Sequence, residues 1–506
     1  MATMALFNMA VNWFIRQRID QIKNFMDHPI ETQNGILFSH IFRADDTEYG
    51  RKYGFKDISS YRDFQQQVPI VNYEEFEPYI EKARQGQRDV SWPGIIRQFA
   101  KSSGTTNAKS KFIPISDDSL EDCHYKAGKD LVSIYVNNHP ENQLFLNKNL
   151  RLGGSAELYQ DFNTKFGDLS AILIENLPFW VEITTVPSKK TSLMSEWETK
   201  LKAIVSEVKN QDVGSLTGVP SWMMVLLQKV LIETGKGNIA EVFPNLEVFF
   251  HGGISFKPYR EQYKKLIGKD INYYEIYNAS EGFFGIQDRS GSDEMLLMLD
   301  YGIFYEFIPM DQFDRNNLQA IPLGEVELGK NYAVVISTNG GLWRYLIGDT
   351  VRFTSLAPHR IQISGRTKHY INAFGEELMI DNVETALKKA CDATNAHITD
   401  YTGAPVFMKE GKSGAHEWLI EFSQSPDNMD VFSKVFDDSL KSINSDYEAK
   451  RYLNMTLNPP IIHTAKPQLF YRWLESRGKL GGQNKVPRLC NDREHLEPLL
   501  HLNQNS

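Results

Sequence analysis

The segment from Ser102 to Lys111 places hydroxyl side chains, one glycine and two lysines close together. It has the sequence Ser-Ser-Gly-Thr-Thr-Asn-Ala-Lys-Ser-Lys and is followed by Phe-Ile-Pro. Backbone N–H groups beside a glycine, Ser and Thr hydroxyls, and ammonium groups all bind phosphate oxygens. This composition indicates a site for the phosphates of a nucleotide.

The spacing of this segment differs from that of the Walker A motif, which has the form Gly-x-x-x-x-Gly-Lys-Ser/Thr. Here a single glycine, Gly104, precedes Thr105 and Thr106. The segment therefore does not predict a P-loop nucleotidase. A solvated Ser/Thr loop between a strand and a helix would have a similar composition, so that alternative stays open on this segment alone.

A glutamate follows a β-rich run in the middle of the chain. Glu281 ends the sequence Tyr277-Asn278-Ala279-Ser280-Glu281. Magnesium prefers one or two carboxylates together with phosphate oxygens and water, so this single glutamate is chemically sufficient for a Mg²⁺ site. In the alternative interpretation, Ser280 caps a helix and Glu281 lies in its first turn.

An aspartate follows a second β-rich run. Asp349 ends the sequence Tyr345-Leu346-Ile347-Gly348-Asp349. A carboxylate can accept hydrogen bonds from both hydroxyls of a ribose, which makes Asp349 a candidate nucleoside ligand. A Gly-Asp pair is also typical of a simple hairpin turn.

The elements around these residues follow an α/β pattern. Two of three strand-like runs end in small, polar loops, and in open α/β sheets ligands bind at the carboxyl ends of strands. Helices are predicted at residues 11–44, 61–68, 73–85, 195–210 and 221–234, and β-rich runs at residues 246–250, 272–277 and 295–353. The sequence thus predicts a crevice that receives loops from distant parts of the chain.

A domain boundary is expected near residues 364–369, where Gly365 and charged residues interrupt the β pattern. Beyond it, helices near 381–390 and 431–445 and strands near 405–408 and 417–422 form a compact α+β unit. We therefore predict a large N-terminal domain at residues 1–364, a hinge at 365–369 and a small C-terminal domain at 370–506.

Five segments resemble, in order, the core motifs of adenylate-forming enzymes, a superfamily that includes acyl-CoA synthetases, luciferase and nonribosomal adenylation domains. They are residues 102–111, 277–282, 345–349, 365–367 and 371–377. Residues 46–51, 68–70, 111–114 and 482–488 are similar to the Gretchen Hagen (auxin-responsive promoter) family of acyl acid amido synthetases. The resemblance spans nearly the whole chain and implies the adenylate-forming fold.

The resemblance implies a role for each matching residue. Lys485, Glu281 and Arg366 would be catalytic, with Glu281 beside Mg²⁺ and the α-phosphate and Lys485 moving in on the small domain. Asp349 would hold the ribose, Tyr277 would stack on adenine, and Lys368 is a hinge candidate. The ATP-binding set is Ser102, Ser103, Gly104, Thr105, Thr106, Gly252, Gly253, Tyr277, Ala279, Ser280, Asp349 and Arg366.

Some residues depart from the family pattern or have two interpretations. Ala108 stands where relatives usually have glycine and Ser110 where they often have proline, which leaves phosphate contacts by Lys109 and Lys111 open. His251 either caps a strand end or takes part in catalysis. The candidate wall of the acyl pocket, which could equally be core, comprises Phe145, Leu158, Tyr159, Phe179, Trp180, Val186, Trp222 and Met223.

The function that the resemblance implies is ATP-dependent amide synthesis. A carboxylic acid would be activated as an acyl-adenylate with release of pyrophosphate, and its acyl group would pass to the amine of an amino acid. Two alternatives stay open: an acyl-CoA ligase that uses the same intermediate, and a non-catalytic nucleotide-binding protein on this fold.

Composition sets limits on partners and location. The 506-residue chain has a formal net charge of −9, which argues against nonspecific binding to nucleic acid or anionic membranes. Cys123, Cys391 and Cys490 are widely spaced and predict neither a disulfide framework nor a zinc site. The N-terminal stretch favours an amphipathic helix over a signal peptide, and no stretch reaches the length of a membrane span. We expect a cytoplasmic protein, a monomer by default, whose partners are small molecules.

Overall fold

The computed structural model describes residues 2–105, 109–153, 158–161, 164–177, 179–194, 196–254, 256, 259–314, 317–367, 370–409, 412–477 and 486–505. These residues form a large α/β part followed by a smaller α+β part. Both the mixed α/β fold class and the predicted order of a large and a small domain are confirmed.

Helices form the N-terminal region. They are α1 (Ala2–Asp27), α2 (Pro29–Ala44), α3 (Glu48–Lys52), α4 (Tyr61–Gln67) and α5 (Tyr73–Arg84). The helical pattern predicted over residues 11–44 is confirmed, and it is divided between two helices because Pro29 occupies the first turn of α2. Proline lacks an N–H donor and disfavours helical geometry at the residue before it, so the helix is interrupted at His28.

The predicted phosphate segment lies in an antiparallel hairpin. Strands β1 (Gln98–Thr105) and β2 (Lys109–Ile115) pair with each other, and β1 also pairs with β5 (Thr164–Gly167), which pairs with β4 (Tyr159–Asp161). The segment therefore joins two strands, and the predicted alternative of a loop between a strand and a helix is wrong.

A 12-stranded mixed sheet forms the centre of the large part. Its parallel half contains β3 (Lys148–Leu152), β6 (Thr185–Val186), β7 (Val213–Gly218), β8 (Val248–Gly252) and β9 (Asn272–Ala279). Its antiparallel half contains β10 (Gly282–Ile286), β11 (Met295–Leu297), β12 (Ile303–Pro309), β13 (Ile321–Pro322), β14 (Asn331–Thr338), β15 (Tyr345–Leu356) and β16 (His359–Arg366). The two halves meet at β9, which is parallel to β8 and antiparallel to β10. Because β8 and β9 are parallel neighbours, their carboxyl ends lie at the same edge of the sheet.

Helices cover this sheet. They are α6 (Asp117–Ser119), which continues through a π-helical turn into α7 (Lys126–Asn138), and α8 (Leu169–Glu175), α9 (Phe179–Thr184), α10 (Lys189–Ser192), α11 (Trp197–Val208), α12 (Pro220–Thr234) and α13 (Arg260–Ile267). None of the described helices combines the length and apolar character that a membrane crossing needs.

The small part contains a three-stranded sheet flanked by helices. Its elements are β17 (Tyr370–Ile371), β18 (Leu378–Met379), α14 (Ile380–Thr394), β19 (His397–Val406), β20 (Ala415–Gln424), α15 (Met429–Ile443), α16 (Ser445–Arg451), β21 (Ile461–Ala465), α17 (Leu469–Ser476) and α18 (Leu496–Asn505). One buried cluster joins residues of both parts, including Met223, Tyr263, Phe374 and Trp418. Strand β16 extends to Arg366, and the boundary at residue 364 and the hinge at 365–369 stay predictions.

Candidate functional site

A cleft of about 930 Å³ lies between the large and small parts. Strands β8, β9, β15 and β16 supply one side of it, and segments 370–379 and 489–495 supply residues of the small part. Seven of the residues predicted from the sequence line this cleft, namely Gly253, Tyr277, Ala279, Ser280, Glu281, Asp349 and Arg366. The fold therefore brings together residues that are far apart in the chain.

Asp349 lies in a bulge of β15. Thr350 pairs with Ala333 and Leu346 with Val335, so residues 347–349 stand opposite the single residue Val334. The hairpin-turn interpretation of Asp349 is therefore wrong. An irregularity of this kind redirects side chains, and here it places Asp349 on the cleft.

The carboxylate of Asp349 has two partners. It accepts a hydrogen bond from the Tyr277 hydroxyl at 2.8 Å, and its other oxygen is 2.7 Å from Nε of Arg366. Burial works against the charged form of Arg366, but Asp349 and Glu377 raise the pKa of this guanidinium above its usual value. The cleft therefore holds a carboxylate and a charged guanidinium side by side.

Glu281 lies in the turn between the antiparallel strands β9 and β10. No helix begins there, so the helix-cap interpretation of Ser280 and Glu281 is wrong. Burial raises the pKa of the Glu281 carboxyl above its usual value, and the ammonium of Lys111 opposes that rise. A cation in the cleft would favour the charged carboxylate.

Lys111 lines the same cleft at the end of the phosphate hairpin. Lys111 pairs with Ser102 across the hairpin, and its ammonium group lies 5.4 Å from the centre of the Tyr73 ring. Burial lowers the pKa of Lys111, while Glu281 acts in the opposite direction. Phosphate contact by Lys111 was left open by the sequence, and its position on the cleft now favours it.

Several predicted residues can be placed only in part or not at all. The backbone of Ser102–Thr105 ends β1, but nothing is described of these side chains. Thr106, Lys368 and Lys485 lie outside the described residues. Their predicted roles therefore stay predictions.

The two glycines after His251 serve different structural purposes. A Cβ on Gly252 would lie 2.5 Å from the Ile276 carbonyl oxygen, so glycine permits the close pairing of β8 with β9. Gly253 has a φ of +82°, which favours glycine, and it lines the cleft. Gly252 is thus explained by strand packing, whereas Gly253 faces the cleft.

His251 lies against aromatic rings at the same strand end. Its ring stacks on Phe256 with centroids 4.1 Å apart, and burial lowers its pKa to about 3. A neutral, stacked imidazole forms part of the cleft wall. This position favours the structural interpretation of His251 over a proton-transfer role.

Family models match the chain along most of its length. The GH3 family N-terminal domain matches residues 18–271, the central domain residues 296–366 and the C-terminal domain residues 381–494. The chain belongs to the GH3 family. The resemblance noted from the sequence motifs is therefore confirmed.

Relatives of this GH3 chain have low sequence identity but long coverage. Indole-3-acetic acid-amido synthetase GH3.3 of Arabidopsis thaliana is 21% identical, over 90% of this chain and 88% of the relative. Jasmonoyl-L-amino acid synthetase JAR4 of Nicotiana attenuata is 25% identical, over 60% and 63%. The family relationship thus rests on the domain matches as well as on these alignments.

Solved structures show the same fold. An acyl acid amido synthetase, AtGH3.15 in complex with 2,4-DB, aligns with a TM-score of 0.62 at 16% identity, over 97% of this chain and 96% of that chain. A 2-hydroxyisobutyryl-CoA ligase in complex with 2-HIB-AMP and CoA aligns with a TM-score of 0.58 at 14% identity, over 95% and 93%. The adenylate-forming fold is therefore confirmed for this GH3 chain.

The sequence did not single out individual residues of the small part that line the cleft of this GH3 chain. They include Tyr370, Asn372, Glu377, Asn491 and Arg493. The motif at residues 371–377 already contained two of them, so its position was a usable signal. Asn491 and Arg493 offered no such signal, because their place depends on the packing of the small part.

The candidates for the acyl pocket divide between core and surface. Val186 and Met223 belong to the buried core, whereas Phe145 and Tyr159 are exposed. Trp222 lies beneath the ammonium of Lys450, which is 4.0 Å from the ring centre. None of these five residues lines the cleft. The structure therefore favours the core interpretation for Val186 and Met223.

Proposed function

We propose that this GH3 protein is an ATP-dependent acyl acid amido synthetase. It would join a small carboxylic acid to AMP with release of pyrophosphate and then transfer the acyl group to the amine of an amino acid. The observation that carries this proposal is the convergence of Tyr277, Glu281, Asp349 and Arg366 on one cleft. The names of the GH3 relatives, which are amido synthetases, support it.

The nucleoside end of ATP would be held by Asp349 and its two partners. The carboxylate would accept hydrogen bonds from the ribose hydroxyls, and the neighbouring Arg366 would add a cation close to ribose or phosphate. The Tyr277 hydroxyl donates to Asp349, so the tyrosine ring lies beside this position, where it would contact adenine. One hydrogen-bonded group would thus orient both ribose and base.

The phosphate end would be bound by the hairpin and by Glu281. Ser102, Ser103, Gly104, Thr105 and Thr106 would surround the phosphates, with Lys111 at the base of the hairpin. Mg²⁺ fits beside Glu281 because this carboxylate lines the cleft, and carboxylate oxygens together with phosphate oxygens are the ligands that the ion prefers. When bound, the ion would neutralise charge on the departing pyrophosphate, and Lys485 would add a second positive charge.

A thioester-forming enzyme is the second candidate. The fold match to a CoA ligase favours it, since that ligase shares the architecture. Both candidates form the same adenylate and differ only in the nucleophile, an amine or a thiol. The cytoplasmic location and the monomeric state expected from the sequence also stay proposals.

The test is carboxylate-dependent exchange of labelled pyrophosphate into ATP over a panel of aryl, indolyl and aliphatic acids. We expect exchange with at least one acid, dependence on Mg²⁺, and an amide product by mass spectrometry when amino acids are added. A product formed with CoA but with no amino acid would establish the thioester route. Failure of every acid to support exchange would contradict the enzyme proposal.

A further inference from the structure

Glu377 lies on the cleft beside the residues proposed to hold ATP. Its Oε1 atom is 3.7 Å from Nη2 of Arg366, and Nε of the same arginine is 2.7 Å from Asp349. Arg366 thus lies between the proposed ribose ligand and a second carboxylate. Glu377 comes from the small part, whereas Arg366 and Asp349 come from the central sheet.

The backbone at Glu377 adopts a conformation that side-chain-bearing residues rarely adopt. Its φ is +40°, and residues held in such a conformation are strained and cluster at ligand-binding sites. Asn372 accepts the Glu377 N–H at 3.2 Å, and Asn444 donates to the carbonyls of Glu376 and Glu377 at 3.0 and 3.3 Å. These hydrogen bonds hold the strained residue in place.

The preceding residue, Glu376, anchors the same segment from inside the small part. It is fully buried and accepts the N–H groups of Ala373 at 3.1 Å and Phe374 at 2.7 Å. Nε2 of His416 contacts it at 2.8 Å. Two adjacent glutamates therefore have opposite positions, one buried as an anchor and the other on the cleft.

This segment is also docked on the large part. The Tyr259 hydroxyl donates to the Ala373 carbonyl at 2.6 Å, and the Ser221 hydroxyl donates to the Phe374 carbonyl at 2.9 Å. The Asn372 side chain donates to the Gly253 carbonyl at 3.1 Å. Glu377 is thus fixed relative to the nucleotide-binding residues across the boundary between the two parts.

The charged groups around Glu377 come from several elements. Arg366 and Lys111 act on it from the large part, and Tyr370 and Lys450 from the small part, with Glu376 beside it in sequence. A carboxylate on the cleft can bind an ammonium group through hydrogen bonds and can accept a proton from it. An amino acid enters as an ammonium ion and must lose a proton before it can attack.

We infer that Glu377 binds the ammonium group of the incoming amino acid and acts as the base that deprotonates it. This inference rests on the proposed amide-forming function. The ammonium donates a proton to the Glu377 carboxylate, and the free amine pair forms the new C–N bond at the acyl carbon. The bond between that carbon and the phosphate oxygen breaks, AMP leaves with the electron pair, and the second amine proton passes to solvent.

The test compares three reactions of the purified full chain carrying Glu377→Gln. Pyrophosphate exchange reports adenylation, hydroxylamine trapping reports attack by an amine that is largely unprotonated at neutral pH, and amide formation reports the amino acid reaction. We expect amide formation to fall by about 100-fold or more, the low end of general base catalysis. The losses of pyrophosphate exchange and of hydroxamate formation should each be at least 10-fold smaller than the loss of amide formation.

The pH dependence and two further variants complete the test. The deficit of Glu377→Gln should shrink as the pH rises, because the free amino acid then loses its proton without help. Glu377→Asp, which keeps a carboxylate, should recover part of the amide rate. Asp492→Asn removes an exposed carboxylate that also lines the cleft and should leave the ratio of the three reactions unchanged.

Three outcomes would overturn the inference. An equal loss of hydroxamate and amide formation would indicate a merely structural role, and unchanged amide formation in Glu377→Gln would exclude Glu377 as the base. A pH-independent deficit would also contradict proton transfer. Absence of exchange in the unmodified protein would instead contradict the proposed function, so the two failures can be told apart.

Discussion

Among the groups in the large part that combine an arginine, a carboxylate and a tyrosine, two differ in how fully their charges are satisfied. In the core triad, Arg344 binds both oxygens of Glu306 at 2.8 and 2.9 Å, and the Tyr61 hydroxyl donates to the same carboxylate at 2.8 Å. Arg344 also donates to the carbonyls of Gln65 and Val68. Both charged side chains are at most 5% exposed.

The cleft triad has the same residue types but a different environment. Arg366 contacts Asp349 through Nε at 2.7 Å, and the Tyr277 hydroxyl donates to Asp349 at 2.8 Å. Here the arginine side chain is 23% exposed and the aspartate 13%. Its second carboxylate contact, to Glu377, is long at 3.7 Å.

The difference separates a structural from a functional use of the same chemistry. The charged side chains of the core triad are at most 5% exposed and hydrogen-bond to each other and to the backbone, so their role is structural. The cleft triad keeps capacity for further hydrogen bonds and faces a space large enough for a nucleotide. The solvent exposure of an ion pair and its remaining capacity for hydrogen bonds therefore indicate, better than residue type, whether it can bind a ligand.

The largest effect should come from breaking the core triad. Arg344→Met leaves Glu306 buried without its charge partner and should lower the free energy of unfolding by about 3–5 kcal/mol, as measured by urea denaturation. Arg366→Met is the matched control in the cleft and should cost much less, because Asp349 there can be hydrated. Equal destabilisation by both variants would remove the distinction between the triads.

Lowering the pH should reduce the stability of the protein through His40, which lies beside the core triad. This ring lies against Trp92 and Trp343, the residue before Arg344, and burial lowers its pKa from 6.5 to about 4. The unfolded state then binds the proton more tightly, so stability should fall as the pH drops from 6.5 towards 4. The loss should reach about 3 kcal/mol at most.

The control for this pH effect is His40→Gln, which can still donate to the Gly302 carbonyl that Nε2 of His40 contacts at 2.9 Å. Its unfolding free energy, measured over the same pH range, should depend less steeply on pH than that of the unmodified protein. The same slope in both proteins would show that His40 is not responsible.

The smallest effects should come from the two tyrosine hydroxyls. Tyr61→Phe and Tyr277→Phe each remove one hydrogen bond to a carboxylate, which is worth about 1–2 kcal/mol. In Tyr61→Phe the loss should appear as reduced stability with an unchanged KM for ATP. In Tyr277→Phe it should appear chiefly as a higher KM for ATP, and the reverse pattern would contradict the assignment of the triads.

The sequence singled out the three residues of the cleft triad, although not their mutual contacts, and it did not single out the core triad, for a physical reason. Asp349 and Arg366 stood in recognisable motifs, whereas Tyr61 and Glu306 are 245 residues apart in sequence and meet only after the sheet has formed. The bulge at Asp349 was likewise invisible, because register depends on the neighbouring strand. Motif order thus predicted which residues meet, and packing decided how they are oriented.

The turn at Glu281 shows a second limit of the sequence. Ser280 and Glu281 suit a helix start, yet β10 pairs back on β9 and the two residues form a hairpin turn. Local preference was overridden by the pairing of the two strands that flank the turn. The chemistry predicted for Glu281 did not depend on this error, because either arrangement would place the carboxylate at a strand end.

The most direct test of the central claim compares ATP with 2′-deoxy and 3′-deoxy ATP in carboxylate-dependent pyrophosphate exchange. If Asp349 binds the ribose hydroxyls, the unmodified protein should prefer ATP in kcat/KM by about 10- to 100-fold, the value of a hydrogen bond to a charged group. Asp349→Ala should lose most of that preference while remaining folded. Equal discrimination by both proteins would contradict the account.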